Sequence, residues 1–286
     1  MARHPVDAYL DRLPETPAGG ALLRRIGPGR VAGSFYGAEL TSVFQPVVDA
    51  ERRVAGHAAY VRSHAAGGHD ELSPWQVFAL AAGDDALVRL DRLCRTVHAI
   101  NYFASGEPGW RLHLAVEHRL LLAVPTEHGR TFEGVLNGFG VATSRVVIEL
   151  PQSAMADPAL LGGVIANYRH RGYAVSVRAV ADAVAISALG YVRPDIVRLR
   201  FEPSPRSRLR DAVDAVHAIG ARALVEHIET ASGRAAAEAA GAELLQGYYL
   251  GAPGPDAIAR PASGVSPDRI PWLDDSALLI GTAPLL

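Results

Sequence analysis

The chain has 286 residues, 49% of them hydrophobic and 20% charged, with a formal net charge of −2. That is the composition of an ordinary globular protein, long enough for one barrel or two modest domains. The near-neutral balance argues against a polyanion-binding machine, so a nucleic-acid partner is not expected. The single cysteine, Cys94, excludes an internal disulfide framework and a cysteine-rich zinc site. No apolar run reaches the roughly 18 residues of a membrane span, and no signal-type apolar segment opens the chain, so a cytoplasmic location is expected. Lysine is absent: all 28 basic residues are arginine. This removes Schiff-base chemistry, a P-loop lysine and any lysine general base, because an arginine stays protonated at neutral pH.

Residues 1–40 are weakly patterned. Val6 to Leu13 predicts a short helix, followed by Pro14, Pro17 and a Gly27-Pro28-Gly29 run. These glycines are read as following no strand, which argues against a dinucleotide-binding loop. Val43–Val48 and Val54–Val61 read as two strands across a polar turn at Asp49–Arg53, an antiparallel hairpin. Strands and helices then alternate. Asp84 and Asp85 can cap a helix that carries Leu87, Leu90, Leu93, Val97 and Ile100 on one face. Leu112–Val116 and Val146–Leu150 predict buried strands. A helix repeats Leu160, Leu161, Val164, Ile165 and Tyr168, with Gly172 just beyond its end. Strands follow at Ala174–Val177 and Ile196–Leu199. A helix over Leu209–Ile219 stops at Gly220, and strands at Ala223–Val225 and Leu244–Tyr248 complete the set.

Eight short apolar strands with helices between them predict a (β/α)8 barrel with an antiparallel opening hairpin. An open doubly wound sheet is the alternative. Residues 1–40 are read as an N-terminal extension, 41–260 as the barrel and 261–286 as a Pro/Gly/Ser-rich tail.

The strand ends resemble a family. Phe44-Gln45-Pro46-Val47-Val48-Asp49 resembles the YQPIVD opening of the EAL domain, the barrel that hydrolyses the bacterial second messenger cyclic-di-GMP. Pro74 to Asp91 resembles that family's P-x-x-FI-x-x-A…GLI-x-x-LD region. Pro194-Asp195-Ile196-Val197-Arg198-Leu199 resembles PDxxKID, Glu226-His227-Ile228-Glu229-Thr230 resembles EGVET, and Gln246 to Pro253 resembles QGYLFGRP. The order and spacing of these matches, from about Phe44 to Pro253, carry the resemblance.

The departures define the expected chemistry. The resemblance implies two divalent cations held by the Glu of EAL, an Asn on the third barrel strand, a Glu on the fourth and two Asp on the fifth. Here the EAL glutamate falls on Ala58, the asparagine on Ala115, and the paired aspartates on Arg178 and Ala179. The fourth-strand glutamate is matched by Glu149. The family lysine falls on Arg198, the aspartate two residues later on Arg200, and the glutamate tied to the active-site loop on Gln152. Hard cations need several oxygen ligands, so neither a bound metal nor any other cofactor is expected, and the chain reads as a catalytically silent member. Glu149 and Arg178, on neighbouring strands, either form an ion pair in place of the metals or both point to solvent at a loop mouth.

Ligand binding is a separate matter. The resemblance implies contacts to cyclic-di-GMP from Gln45, Arg62, Glu226 and Gln246, with Glu149 and Arg178 beside them. Gln45 could instead tie the barrel floor, and Gln246 could belong to a turn. Tyr60 stands where the family has leucine and could fill the pocket. The leading expectation is a metal-independent receptor for cyclic-di-GMP, and the alternative is a nucleotide-free module that binds a partner protein. Trp75, Trp110 and Trp272 are candidate anchors for such a partner. The resemblance also suggests a homodimer. Scattered histidines such as His57, His113 and His118 show no metal-ligand spacing, and Cys94 falls on an apolar helix face as inert core.

Overall fold

The protein is described here by a computed structural model that covers residues 5–11, 21–65, 71–105, 109–124, 128–203 and 208–255. The chain opens with helix α1 (Pro5–Leu10) and strands β1 (Ala21–Gly27), β2 (Arg30–Phe35), β3 (Ala38–Asp49), β4 (Val54–Ala65) and β5 (Glu71–Leu72). Helices α2 (Pro74–Leu80) and α3 (Asp84–Phe103) follow, then β6 (Arg111–Ala115), α4 (His118–Ala123) and α5 (Arg130–Gly138). Regular alternation continues through β7 (Val146–Leu150), α6 (Pro158–His170), β8 (Ala174–Ala179), α7 (Ala183–Ser187) and β9 (Ile196–Arg200). The described chain ends with α8 (Leu209–Ala218), β10 (Arg222–Glu226), α9 (Ala231–Ala240) and β11 (Leu244–Gln246).

Local chemistry sets several of these boundaries. Asp157 accepts the Leu160 amide at 2.9 Å, and Pro158 opens α6, since proline loses nothing at a first helical position. The Thr230 hydroxyl accepts the Gly233 amide at 3.0 Å and starts α9. Ser73 and Gln76 cap α2 reciprocally. At α3 the sequence expectation shifts: Gly83 is the cap, and Asp84 and Asp85 lie in the first turn, where their charge complements the helix dipole.

The sheet closes. Its barrel order is β3-β11-β10-β9-β8-β7-β6-β4, with β4 returning to pair with β3. β3 runs antiparallel to both neighbours, and the pairs from β4–β6 round to β10–β11 are parallel. The predicted (β/α)8 barrel with its antiparallel hairpin is therefore the fold, and the open-sheet alternative is set aside. A bridge between Phe44 and Gly254, with both backbone bonds at 3.0 Å, fastens the chain after β11 across β3.

Residues 21–40 hold more structure than the sequence suggested. β1 and β2 extend β3 as an antiparallel meander, so Gly27 does follow a strand. The run nevertheless turns into β2 and not into a helix, so it still makes no dinucleotide loop. Asn101 on α3 holds β2 by both amide ends: its oxygen accepts the Val31 amide at 2.7 Å and its nitrogen donates to the Val31 carbonyl at 3.0 Å. The helix predicted at Val6–Leu13 is found at Pro5–Leu10, with residues 12 and 13 outside the described region. The tail at 261–286, with Trp272, lies wholly outside it, as does the Trp75 side chain.

The main core lies between the strands and the surrounding helices. A separate small cluster of Val47, Val147, Ile196, Leu224 and Leu244 plugs the barrel interior near its N-terminal end. Cys94 packs partly buried against the main core, and burial pushes its thiol up to about 12, as befits an unreactive group. Among the described residues, no helix is long and apolar enough to cross a membrane.

Candidate functional site

Above the apolar plug, the inward-facing positions become polar. Strand alternation places Glu149 two residues beyond Val147, Arg198 two beyond Ile196, Glu226 two beyond Leu224 and Gln246 two beyond Leu244. All four are buried, and Arg198 is only 1% exposed. This is the mouth at the C-terminal ends of the parallel strands, where barrels of this kind carry their chemistry.

Arg198 is the hub. Its Nη1 donates to Glu149 Oε1 at 2.6 Å, its Nε to Glu226 Oε2 at 3.1 Å, and its Nη2 to Gln246 Oε1 at 2.5 Å. Arg178 approaches from β8, with Nε 2.9 Å from Glu226 Oε1 and Nη2 3.4 Å from Oε2. Two guanidinium groups thus face two carboxylates. Burial pushes the Glu226 carboxyl up, but Arg178 and Arg198 outweigh it and hold it down to about 2. Glu149 follows the same pattern: burial raises its pKa, Arg198 opposes, and the balance falls below the usual value. Both carboxylates are ionised at neutral pH.

The expected Glu149–Arg178 pair is not formed. Glu149 pairs with Arg198 and Arg178 with Glu226. The reason is barrel geometry. Side chains within one interior layer come from alternate strands, so β7 meets β9 and β8 meets β10. The direct neighbour of Glu149 on β8 is Ser176, and Arg178 lies one step higher.

A second polar chain continues across the antiparallel strand. Gln246 Nε2 donates to Gln45 Oε1 at 2.8 Å and to the Tyr60 hydroxyl at 2.9 Å, and Gln45 Nε2 donates to the Gly251 carbonyl at 3.1 Å. Gln45 therefore belongs to the mouth and not to the floor. Gln246 closes β11 immediately before a tight approach. A Cβ on the following Gly247 would stand 2.2 Å from the Ile228 carbonyl oxygen, so only glycine lets the strand end lie against that backbone. His113, 3.4 Å from Glu149, is held neutral because burial lowers its pKa more than the carboxylate raises it.

The remaining family positions sort by face. Ala58 is buried on β4 beside His113, Ala115 ends β6 exposed, and Ala179 turns outward into the helix-facing core. Arg62, half-buried, lies within β4 opposite Thr41, and Arg200 is exposed at the end of β9. A cavity of about 70 Å³ opens beside the mouth between β4, β6 and α3, lined in part by Ala58, Tyr60, Asp91, Glu117, Glu149 and Arg178. Burial, and then the nearby Asp91, raise Glu117 to about 7. Sequence reasoning did not single out Glu117, and it named Tyr60 and His113 without their contacts to Gln246 and Glu149. Their signal is positional, since each is within reach of the site only once the barrel closes. Among the described residues, no three His, Cys, Asp or Glu side chains cluster as metal ligands do.

A parallel barrel closed by one antiparallel strand, with a charged cluster at its C-terminal mouth, places the chain among the (β/α)8 barrels. Residues 33–253 match the EAL domain family, and the chain belongs to it, within the family's cyclic-di-GMP signalling. No curated protein matches the chain. Among solved structures, the EAL domain of Xanthomonas citri FimX in complex with c-diGMP is similar at TM-score 0.64 and 17% identity, covering 87% of this chain and 94% of that one. A standalone EAL protein of Vibrio cholerae O395, c-di-GMP bound, has TM-score 0.63 and 20% identity, covering 75% of this chain and 92% of its own. The Bacillus subtilis YkuI protein, with an EAL domain and in complex with c-di-GMP and calcium, has TM-score 0.62 and 23% identity. The match covers 75% of this chain and 55% of YkuI. These likenesses establish the fold.

Proposed function

We propose that this EAL domain works in cyclic-di-GMP signalling as a non-hydrolytic regulator that receives the dinucleotide without metal. The observation that carries the reading is Arg198, seated between Glu149 and Glu226. Both carboxylates at the hub are committed to guanidinium groups, and Ala58 and Ala115 carry no donor atoms. This donor set does not fit a pair of hard cations. At about 4 Å and an effective dielectric near 20, a divalent ion facing one guanidinium meets a repulsion of order 8 kcal/mol. With no Lewis acid to lower the pKa of a water and no lysine to act as base, the mouth has no means to generate the attacking nucleophile.

Phosphate recognition needs less. Guanidinium groups bind phosphate oxygens through paired N–H donors. Arg178 is 21% exposed at the rim, Arg200 ends the neighbouring strand β9 exposed, and Arg62 lies half-buried on β4, three strands away around the barrel. The solved relatives named above hold c-di-GMP on the same fold. The single unpaired cysteine suits a cytoplasmic setting for such a receptor.

The closed Gln45–Gln246–Tyr60 chain favours a second reading. These groups satisfy one another, and the adjoining cavity of about 70 Å³ accommodates a few waters and no nucleotide. On that reading the domain binds a protein partner instead. Calorimetric titration with cyclic-di-GMP, with and without Mg²⁺, separates the two. The receptor predicts micromolar binding that is indifferent to Mg²⁺ and lost in Arg62→Ala or Arg178→Ala. Absence of heat, with a partner recovered by pull-down, favours the module. Turnover to the linear dinucleotide overturns both.

A further inference from the structure

At the opposite end of the barrel, the N-terminal ends of β6, β9 and β10 border a groove of about 840 Å³. Its charged lining is Arg111, Arg169, Arg193, Arg222 and Asp195, four guanidinium groups against one carboxylate. Arg169 Nη2 pairs with Asp195 Oδ1 at 3.0 Å, and Asp195 also accepts the Val175 amide at 2.8 Å, so the one acid is already used. Arg111, Arg193 and Arg222 are exposed, and among the described residues none of the three has an ion-pair partner. Arg111 lies two residues before His113 and Arg222 two before Leu224, which places both on the inward phase of their strands beneath the apolar plug.

Capping of helix ends does not account for this cluster. The last carbonyls of α8 are taken by backbone amides, Gly220 to His217 at 2.9 Å and Ala221 to Val216 at 3.2 Å. Among the described residues, Arg169 is the one of the four arginines whose side chain reaches a backbone carbonyl, that of Val192 at 3.4 Å. Three unmatched guanidinium groups around one concavity create a positive field that a compact, multiply charged anion answers. The volume falls in the usual range for small-ligand sites, roughly 300–1,000 Å³.

We propose that this groove is a binding site for a small di- or triphosphate, separate from the mouth and independent of the function assigned to it. Phosphate groups would take the forked donors of Arg111, Arg193 and Arg222, while the apolar edge at Ile219 limits the site on one side.

The test is a titration of the full chain with inorganic pyrophosphate, followed by backbone amide resonances. The proposal predicts saturable shifts at Gly190 and Gly220, which line the groove. It also predicts affinity about tenfold weaker in Arg193→Ala and again in Arg222→Ala, the loss expected for one charged hydrogen bond. Both side chains are exposed, so these variants fold, and Arg193→Glu should abolish the shifts. Raising the salt concentration should weaken binding in the wild type. Shifts confined to the mouth overturn the proposal, as do no saturable shifts at Gly190 and Gly220, or affinity unchanged in the Arg193→Ala/Arg222→Ala pair.

Discussion

The two ends of one barrel treat arginine in opposite ways. At the mouth, Arg198 and Arg178 are drawn in against Glu149 and Glu226, and the charges cancel within a buried cluster. At the floor, Arg111, Arg193 and Arg222 ring an apolar plug and remain exposed, with a single carboxylate already taken by Arg169. The lesson is that residue type alone does not give a charge its role. A guanidinium drawn into the interior must be paired to be tolerated, whereas one at a rim keeps its field free.

Removing the hub is the hardest test of this contrast. Arg198→Ala strands Glu149 as a buried charge and leaves Glu226 with Arg178 alone, and a loss of about 3–5 kcal/mol is expected in chemical denaturation. A shift of a few tenths would mean that water already screens the cluster. At the floor the stabilising term is apolar, so Leu224→Ala should cost about 3 kcal/mol through the cavity it leaves, with no change in pH dependence.

The acid limb of a stability profile sharpens the same comparison. Glu226 has a folded pKa of about 2 against an ordinary 4.5, so the unfolded chain binds its proton first. Its stabilisation is complete above about 4.5 and is lost as pH falls toward about 2. Glu117 works with the opposite sign. Its folded pKa is raised to about 7, so the stability it contributes is present below about 4.5 and fades as pH rises through 7. Glu117→Gln should flatten the neutral limb and leave the acid limb intact, as read from denaturant midpoints across pH. The smallest effect belongs to Thr230→Ala, which removes the cap of α9 beyond the Glu226 strand and should cost about 1 kcal/mol.

Much of the barrel was legible because its strands are short apolar runs punctuated by caps and C-terminal glycines. Val146–Leu150 is found with the boundaries its sequence implies, and α6 ends where Gly172 adopts a positive φ of 82°. The meander at β1 and β2 was not legible. Arg24 and Arg25 interrupt the alternation in β1, and the side chain that fastens β2 to the helical layer, Asn101 on α3, lies far along the chain from Val31. The site was legible in its composition and not in its pairing. The motifs placed Glu149, Arg178, Arg198, Glu226 and Gln246 together, but adjacency of strands suggested Glu149 with Arg178. Which carboxylate meets which guanidinium depends on the stagger of a closed barrel, and that is a property of register around the whole ring.

On the proposed reading, Arg198 holds Glu149 and Glu226 so that the mouth takes no cation. The most direct measurement is anomalous diffraction from crystals grown with Mn²⁺ and cyclic-di-GMP. The expected result is no manganese peak within coordination distance of Glu149, with Arg198 still bonded to Glu149 and Glu226. A strong peak beside Glu149, with Arg198 swung away, would contradict it.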